Sequence, residues 1–490
     1  MDEILPYEKL KLRTRKYHDG VVLTNDYGNW VFLSGKEYEK FLFRDLDKVT
    51  FKKLEDNFMI LTERNKKDIP HRINDYYWYI NNGASLHIIV PTLRCNFTCK
   101  YCYAYRETEN AMSKDMTEEI MDDTIDFIFT SPANHNIIEF TGGEPLLKFE
   151  LIKRGIERAK KKALMLDKKV DFSVVTNGSQ LNQEMVEYFL ENKVGICLSL
   201  DGPKKIHDAN RKITKTGEGS YDSVIDAINL LKKNEYPSIN AMPVIVKDSF
   251  EYWKEIVDEY VKLKFNVVRF KFVSRFGFAS DTWNISSYTA EEFLDKWKKV
   301  IDYCIELNKK GITIIENLAV IMIHKLAKGI NSGYAELEIP CGAGIGQLAY
   351  NYDGAIYTCD EARTIPEFKI GDVKESKYID VIDNPITKSL ENISNLTAFN
   401  CDDHCPWFSF CGICPLEVYN EEKGLVTNIP NSYRHKIHLG MFEFLMDKIV
   451  HNEEEKEILY KWVDVTHGTI DTLPETSNSD IFKKNGIQKS

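Results

Sequence analysis

The sequence is poor in proline and tryptophan, 15 and 7 among 490 residues, and has no apolar run near the about 18 residues that a membrane-spanning helix needs. The opening MDEILPYEKLKLRTRKYHDG lacks the apolar core of a secretion signal, so a cytoplasmic location with no membrane partner is expected. Positive charge is also in deficit. A net charge of -11 and a pI near 5.6 argue against a broad nucleic-acid surface, and the one basic run, KLKLRTRK from Lys9 to Lys16, reads as a solvated face. No low-complexity tract is present. The 11 cysteines are an odd number, which disfavours a complete disulfide framework and favours metal or redox use.

What is present is ordinary for a globular chain of two to four domains, 43% hydrophobic and 28% charged. Residues 1–82 open with VVLTNDYGNWVFLS, two β-rich runs about a glycine turn, followed by the helical pattern GKEYEKFLFRDL. From residue 83 to 275 the apolar runs SLHIIV, NIIEFTG, VDFSVVTNG, VGICLSLDG, INAMPVIV and NVVRFKFV alternate with helical patterns near 117–130, 149–164, 180–192, 220–234 and 249–264. Six strand-helix repeats predict an α/β fold, a partial (β/α)6 TIM-like barrel. Residues 276–340 read as bridging helices, 341–440 as a cysteine-rich domain with a hairpin at QLAYNYDGAIYTCDE, and 441–490 as a helix with a polar, frayed tail, TSNSDIFKKNGIQKS.

Reactive loops of such sheets follow the C-terminal ends of strands. PTLRCNFTCKYCYAY follows the first strand, TGGEP the second, TNG the third and SLDG the fourth. Taken singly, GGEP and SLDGP are common turn compositions, and an arginine in a strand often faces water. Their common phase favours function. Cys95, Cys99 and Cys102 are one thiol short of a structural zinc site but suit a 4Fe-4S cluster whose fourth iron takes an exogenous ligand. Cys197 and Cys304 lie in apolar patterns and read as small buried hydrophobes.

The C-x3-C-x2-C loop with Tyr101 before its last cysteine, on the first βα loop of a partial barrel, resembles the radical S-adenosylmethionine (SAM) superfamily. The resemblance implies that the three thiolates hold the cluster that cleaves SAM to methionine and a 5'-deoxyadenosyl radical. It assigns Gly142, Gly143, Glu144 and Pro145 to the methionyl amino group. Thr176, Asn177, Ser199 and Asp201 fall to the ribose and carboxylate, and Arg211 and Arg269 to SAM or substrate carboxylates.

Cys341, Gly354, Cys359 and then Cys401-x3-Cys405-x5-Cys411-x2-Cys414 resemble the SPASM extension, which holds auxiliary 4Fe-4S clusters in peptide- and protein-modifying relatives. The resemblance implies that Cys341, Cys359 and Cys414 serve the nearer cluster and Cys401, Cys405 and Cys411 the distal one. The competing reading is a four-thiolate zinc site at 401, 405, 411 and 414. The spacing departs from the family's, and its seventh cysteine is missing where SYRHKIH stands. His404, His435, His438, an acid or solvent is left to complete a cluster, or only one auxiliary cluster forms. Asp360, after Cys359, matches a proton acceptor in sulfatase-maturing relatives, with a turn acid as the alternative.

TNDYGNWVFLS, IEFTGGEPL, SLDGPKKIHDANR and the stretch around Cys359 look most like the His-Xaa-Ser system radical SAM maturases. This implies a radical SAM/SPASM peptide maturase that abstracts a side-chain hydrogen from a ribosomally made precursor peptide and installs a C-C (cyclophane) or thioether cross-link. Its partners would be a leader-bearing precursor and a reductant such as flavodoxin or ferredoxin. The N-terminal domain reads as a leader-recognition module or as a plain cap on the barrel. Formylglycine formation, as in anaerobic sulfatase maturases, and a non-catalytic iron-sulfur or zinc scaffold are the alternatives.

Overall fold

The computed structural model describes residues 6–398, 401–424 and 432–466; the polar tail TSNSDIFKKNGIQKS lies outside the described residues. The N-terminal hairpin is present as β2 (Gly20–Thr24) and β3 (Trp30–Ser34), joined by a third antiparallel strand, β1 (Arg13–Lys16). Helix α1 (Gly35–Phe43) begins with a capping box of Ser34 and Glu37, and α2 (Lys48–Asp56) is capped by Asp47. The basic run is not simply a solvated face. The Arg13 side chain is fully buried, paired with Asp26 at 2.7 Å, its guanidinium 4.2 Å from the Phe408 ring.

The main sheet has eight strands. Its parallel part is β4 (Leu86–Thr92), β5 (His135–Gly142), β6 (Lys169–Thr176), β7 (Gly195–Ser199) and β8 (Ile239–Met242), each paired to the next along one edge. Helices α3 (Glu118–Ile128), α4 (Phe149–Leu166), α5 (Gln183–Glu191), α6 (Tyr221–Lys233) and α7 (Trp253–Lys262) fill the intervals. Sheets covered on both sides usually read as continuous apolar runs. Here β5 and β7 alternate buried with half-buried residues, and Glu139 and Ser199, among the half-buried set, line an interior cavity.

Two features differ from the six-repeat expectation. Pro243, which has no N–H to donate, ends β8, and the following Val244–Ile245 pairs in parallel with Lys271–Phe272 apart from the main sheet. The sixth run is itself divided, because Val267–Val268 pairs with Ile315–Glu316 instead. The hairpin predicted in the cysteine-rich region forms as β9 (Gln347–Tyr350) and β10 (Ala355–Tyr357), with Gly354 at φ +87°. Yet β9 pairs in parallel with β4, Gln347 opposite Leu86, so that β9, β10 and β11 (Lys369–Asp372) extend the barrel sheet.

Helices α8 (Ala290–Lys309) and α9 (Asn317–Lys328) follow the barrel strands and pack against the helical pair α10 (Tyr433–His451) and α11 (Glu453–Thr466). Ile437, Met441, Phe442, Leu445 and Met446 of α10 are wholly buried there. No helix among the described residues is long and apolar enough to cross a membrane.

Candidate functional site

A cavity of about 350 Å³ opens at the C-terminal ends of β4 to β8. Cys95, Cys99 and Cys102 line it, on the loop that leaves β4. That loop is anchored at its base by a buried ion pair, Arg94 Nε and Nη2 donating to Asp115 at 2.7 and 2.8 Å, with Thr92 Oγ1 donating to the same carboxylate at 2.6 Å. Its short strand Phe97–Cys99 pairs antiparallel with Arg211–Ile213, which puts Arg211 opposite Cys99. Asn96 Nδ2 donates to Ser179 Oγ at 2.7 Å and Asn177 Nδ2 to Asn96 Oδ1 at 2.8 Å, tying the loop to the end of β6.

Cys95 and Cys99 are in an apolar setting that opposes ionisation. Burial pushes Cys99 up to about 12, with Cys102 and Asp201 adding to it and Arg211 opposing, and burial with Cys99, Glu144 and Cys102 pushes Cys95 well up. As free thiols they would be inert, so a bound metal is what makes such a set chemically useful. Phe97 N donates to Cys95 Sγ at 3.4 Å, and Arg211 Nη1 lies 3.9 Å from Cys99 Sγ.

The structure brings Gly142, Gly143, Thr176, Asn177, Ser199, Arg211, Arg269 and Asp360 to the cavity wall with the three cysteines. At Gly143 an added Cβ would stand 2.2 Å from the Arg94 carbonyl oxygen, and at Gly142, with φ +119°, it would stand 2.7 Å from that of Thr92. The second strand's glycines are thus required by the close approach of the cysteine loop.

Glu144, Pro145 and Asp201 are not among the residues lining the cavity. Glu144 is fully buried and its carboxylate accepts from Leu146 N, Thr176 Oγ1 and Asn177 N at 3.1, 2.6 and 2.8 Å; burial raises it to about 7. Pro145 opens the short turn Pro145–Lys148. Asp201 accepts from Arg211 Nη2 at 3.0 Å and from Tyr101 OH, so it orients the arginine behind Cys99.

Asp360 accepts from Arg363 Nε at 2.8 Å and from Tyr103 OH, and Tyr103, next to Cys102, also lines the cavity. The sequence reading missed Glu139, Lys271, Glu336 and Glu361 on the same wall. A signal was available for two of them. Glu139 is a charge inside the apolar run NIIEFTG, and Lys271 stands two residues from Arg269 in the run NVVRFKFV, where strand periodicity predicts a common face. Burial, with the Asp360 charge adding, raises Glu139 to about 7.

The second set of cysteines falls into two groups. Cys341, Cys359 and Cys414 share one buried apolar cluster, and the charges of Cys341 and Cys414 raise Cys359 further after burial and Glu361. Cys401 and Cys405 both raise Cys411, which burial pushes up to about 12. Of the histidines considered for a missing ligand, His404 is exposed, His435 half-buried, and His438 buried with Nδ1 3.3 Å from Gly412 O. Cys197 on β7 and Cys304 on α8 stand apart from both groups; burial raises each thiol, to about 12 at Cys197.

Residues 89–260 match the Radical SAM superfamily. The serine-type anaerobic sulfatase-maturating enzyme of Bacteroides thetaiotaomicron is 25% identical over 397 residues, which cover 74% of this chain and 90% of that protein. Among solved structures, native anSMEcpe with bound AdoMet and Cp18Cys peptide superposes with a TM-score of 0.64 at 20% identity, covering 76% of this chain and 99% of that one. Streptococcus suis SuiB bound to precursor peptide SuiA superposes with a TM-score of 0.51 at 17% identity over 85% of this chain and 96% of SuiB.

Proposed function

Because residues 89–260 match the Radical SAM superfamily, we propose a maturase that cross-links a ribosomally made precursor peptide within the cavity described above. One observation carries the reading: the three-cysteine loop, the strand-end residues and Asp360 face a single cavity. SuiB with precursor peptide SuiA and anSMEcpe with the Cp18Cys peptide share this fold, which supports a peptide substrate for the cavity.

The donor set fits a 4Fe-4S cluster with an open iron, since no fourth thiol among the described residues lines the cavity and Arg211 offsets thiolate charge. When bound, that cluster and SAM supply a 5'-deoxyadenosyl radical. Cys95, Cys99 and Cys102 would hold the cluster. The backbone at Gly142 and Gly143, with Asn177 and Ser199, would seat SAM, and Glu144 and Asp201 support that wall from behind rather than touching it. Arg269 and Lys271 place positive charge on the cavity wall, where a peptide carboxylate or carbonyl would be held. Asp360, oriented by Arg363 and Tyr103, would take the proton released as the substrate radical is oxidised. The groups at Cys341, Cys359, Cys414 and at Cys401, Cys405, Cys411 would hold auxiliary clusters that accept the electron.

The test is anaerobic reconstitution followed by a deoxyadenosine assay with SAM and dithionite. Cys95→Ala, Cys99→Ala or Cys102→Ala should each abolish deoxyadenosine, and a normal yield from any of them would defeat the radical reading. Co-expression with a short open reading frame beside the gene should give a peptide lighter by two hydrogens whose fragmentation is blocked across the linked residues. An aldehyde-reactive product that fragments throughout would identify formylglycine instead. Asp360→Ala should leave deoxyadenosine formation intact while lowering product, and undiminished product would remove the proton-acceptor role.

A further inference from the structure

Far from the cavity, one cluster of side chains brings together donors that suit a transition metal. His18 and Asp19 stand in the turn between β1 and β2, and His451 is the last residue of α10. One ligand atom from each of the three lies within 4.8 Å of the other two. His451 Nε2 is 2.9 Å and His18 Nδ1 3.8 Å from Asp19 Oδ1, and the two imidazole rings are 5.1 Å apart between centroids. A tetrahedral zinc ion with bonds of about 2.0–2.1 Å holds its donor atoms about 3.3 Å apart. The cluster meets that spacing after a small rotation of His18, whose side chain is 81% exposed and free to turn.

An ion pair between Asp19 and a protonated His451 accounts for one of these contacts but not for the rest. His18 brings a second imidazole against the first, and two imidazolium ions at that separation repel each other, whereas two neutral rings can share a cation. His451 is also oriented as metal-binding histidines are: its Nδ1 faces Asp447 Oδ1 at 3.0 Å, which leaves Nε2 directed at the cluster. Tyr17 and Phe32 stand edge-on to the same ring, at 5.3 and 5.9 Å between centroids, and hold its plane. A cation here lies at the C-terminal end of a helix, where the backbone carbonyls favour positive charge. The cluster opens to solvent, so an ion has a path to it.

We propose that His18, Asp19 and His451 bind a divalent transition ion such as zinc, through Nδ1, a carboxylate oxygen and Nε2, with water in the fourth position. None of the three lines the cavity, so the ion is structural. It ties the N-terminal sheet to the C-terminal helical pair, beside the contact of Arg15 with Glu443 at 2.9 Å across the same interface. This site does not depend on the iron-sulfur reading.

The test dialyses the full chain, its cysteine sites first filled with iron and sulfide, against micromolar zinc, and measures bound metal and zinc X-ray absorption. About one zinc per chain should remain, with nitrogen and oxygen neighbours at about 2.0–2.1 Å. Asp447→Ala should weaken zinc binding by about 10- to 100-fold, and His18→Ala, Asp19→Ala and His451→Ala at least as much, with iron content unchanged in all four. Zinc should raise the melting temperature of wild type and leave that of His18→Ala where it was. Sulfur neighbours at about 2.3 Å, with zinc binding undiminished in the variants, would assign the ion to cysteines and overturn the site. Failure of the wild type to retain zinc would overturn it as well. If His451→Ala does not fold, His18→Ala, altered only at an exposed side chain, decides alone.

Discussion

Gly143 admits no side chain: its added Cβ would meet backbone, Arg94 O at 2.2 Å, rather than the movable end of a side chain. Gly143→Ala must therefore push the cysteine loop away from β5, at a cost of about 1–3 kcal/mol for overpacking. The expected outcome is a lower urea midpoint together with weaker SAM binding by calorimetry, and an unchanged binding constant would show that the loop position does not matter to the cofactor. Glu144 makes a different prediction. Burial raises it from 4.5 to about 7, so the folded state keeps its proton to higher pH than the unfolded chain. Its favourable contribution is complete below 4.5 and is lost as pH rises towards 7, a slope of up to about 1.4 kcal/mol per pH unit. Urea unfolding at several pH values should show stability falling across this window, with a shallower fall in Glu144→Gln. That variant should also be less stable at acid pH, because the Gln amide would oppose one of the donors that Glu144 now satisfies. An equally steep fall in the variant would assign the slope to other groups, Glu139 first among them.

At the scale of elements, the N-terminal sheet is attached to the cysteine-rich region by a few specific contacts. Arg13 lies over Phe408, and Thr24 Oγ1 donates to Pro406 O at 2.8 Å. Arg13→Ala removes a buried cation and leaves Asp26 without that partner, so hydrogen exchange should accelerate in β1 and in residues 405–411 while β4 to β7 keep their protection. Uniform acceleration over the chain would mean that the contact is global rather than local. Arg13 also marks where sequence reading runs out. RTRK has the composition of a solvated face, and only a partner almost 400 residues away makes its first arginine a core residue. The same holds for β9, whose parallel pairing with β4 joins positions 347 and 86 with no local signal. Helices α3 to α7, by contrast, were legible because each carries its own 3.6-residue periodicity, and Thr117 and Asn182 cap two of them from within the sequence. The cavity-lining cysteines and strand-end residues were legible for a related reason, since their motifs are contiguous. Glu139 acquires meaning only from what faces it.

Over the whole molecule, the cysteine-rich region is a keystone. β9 is part of the barrel sheet, Tyr79 OH donates to Pro340 O at 2.6 Å just before Cys341, Tyr76 OH donates to Ser409 O, and the N-terminal sheet rests on Pro406 and Phe408. If the two groups of thiols hold metal, that metal links segments separated by up to 73 positions, from Cys341 to Cys414, and its binding energy is part of the folding energy. The first cysteine loop is different, because Arg94, Asp115, Asn96 and the pairing with Arg211–Ile213 fix it without metal. Stripping all iron with a chelator should lower the calorimetric midpoint by about 5 °C or more, a size that corresponds to one or two kcal/mol in a domain of this class. The triple variant Cys95→Ala, Cys99→Ala, Cys102→Ala, reconstituted so that only the other groups can fill, should lose much less. A triple variant as unstable as the stripped protein would place the structural metal in the first loop and leave the second cysteine region without a load to carry.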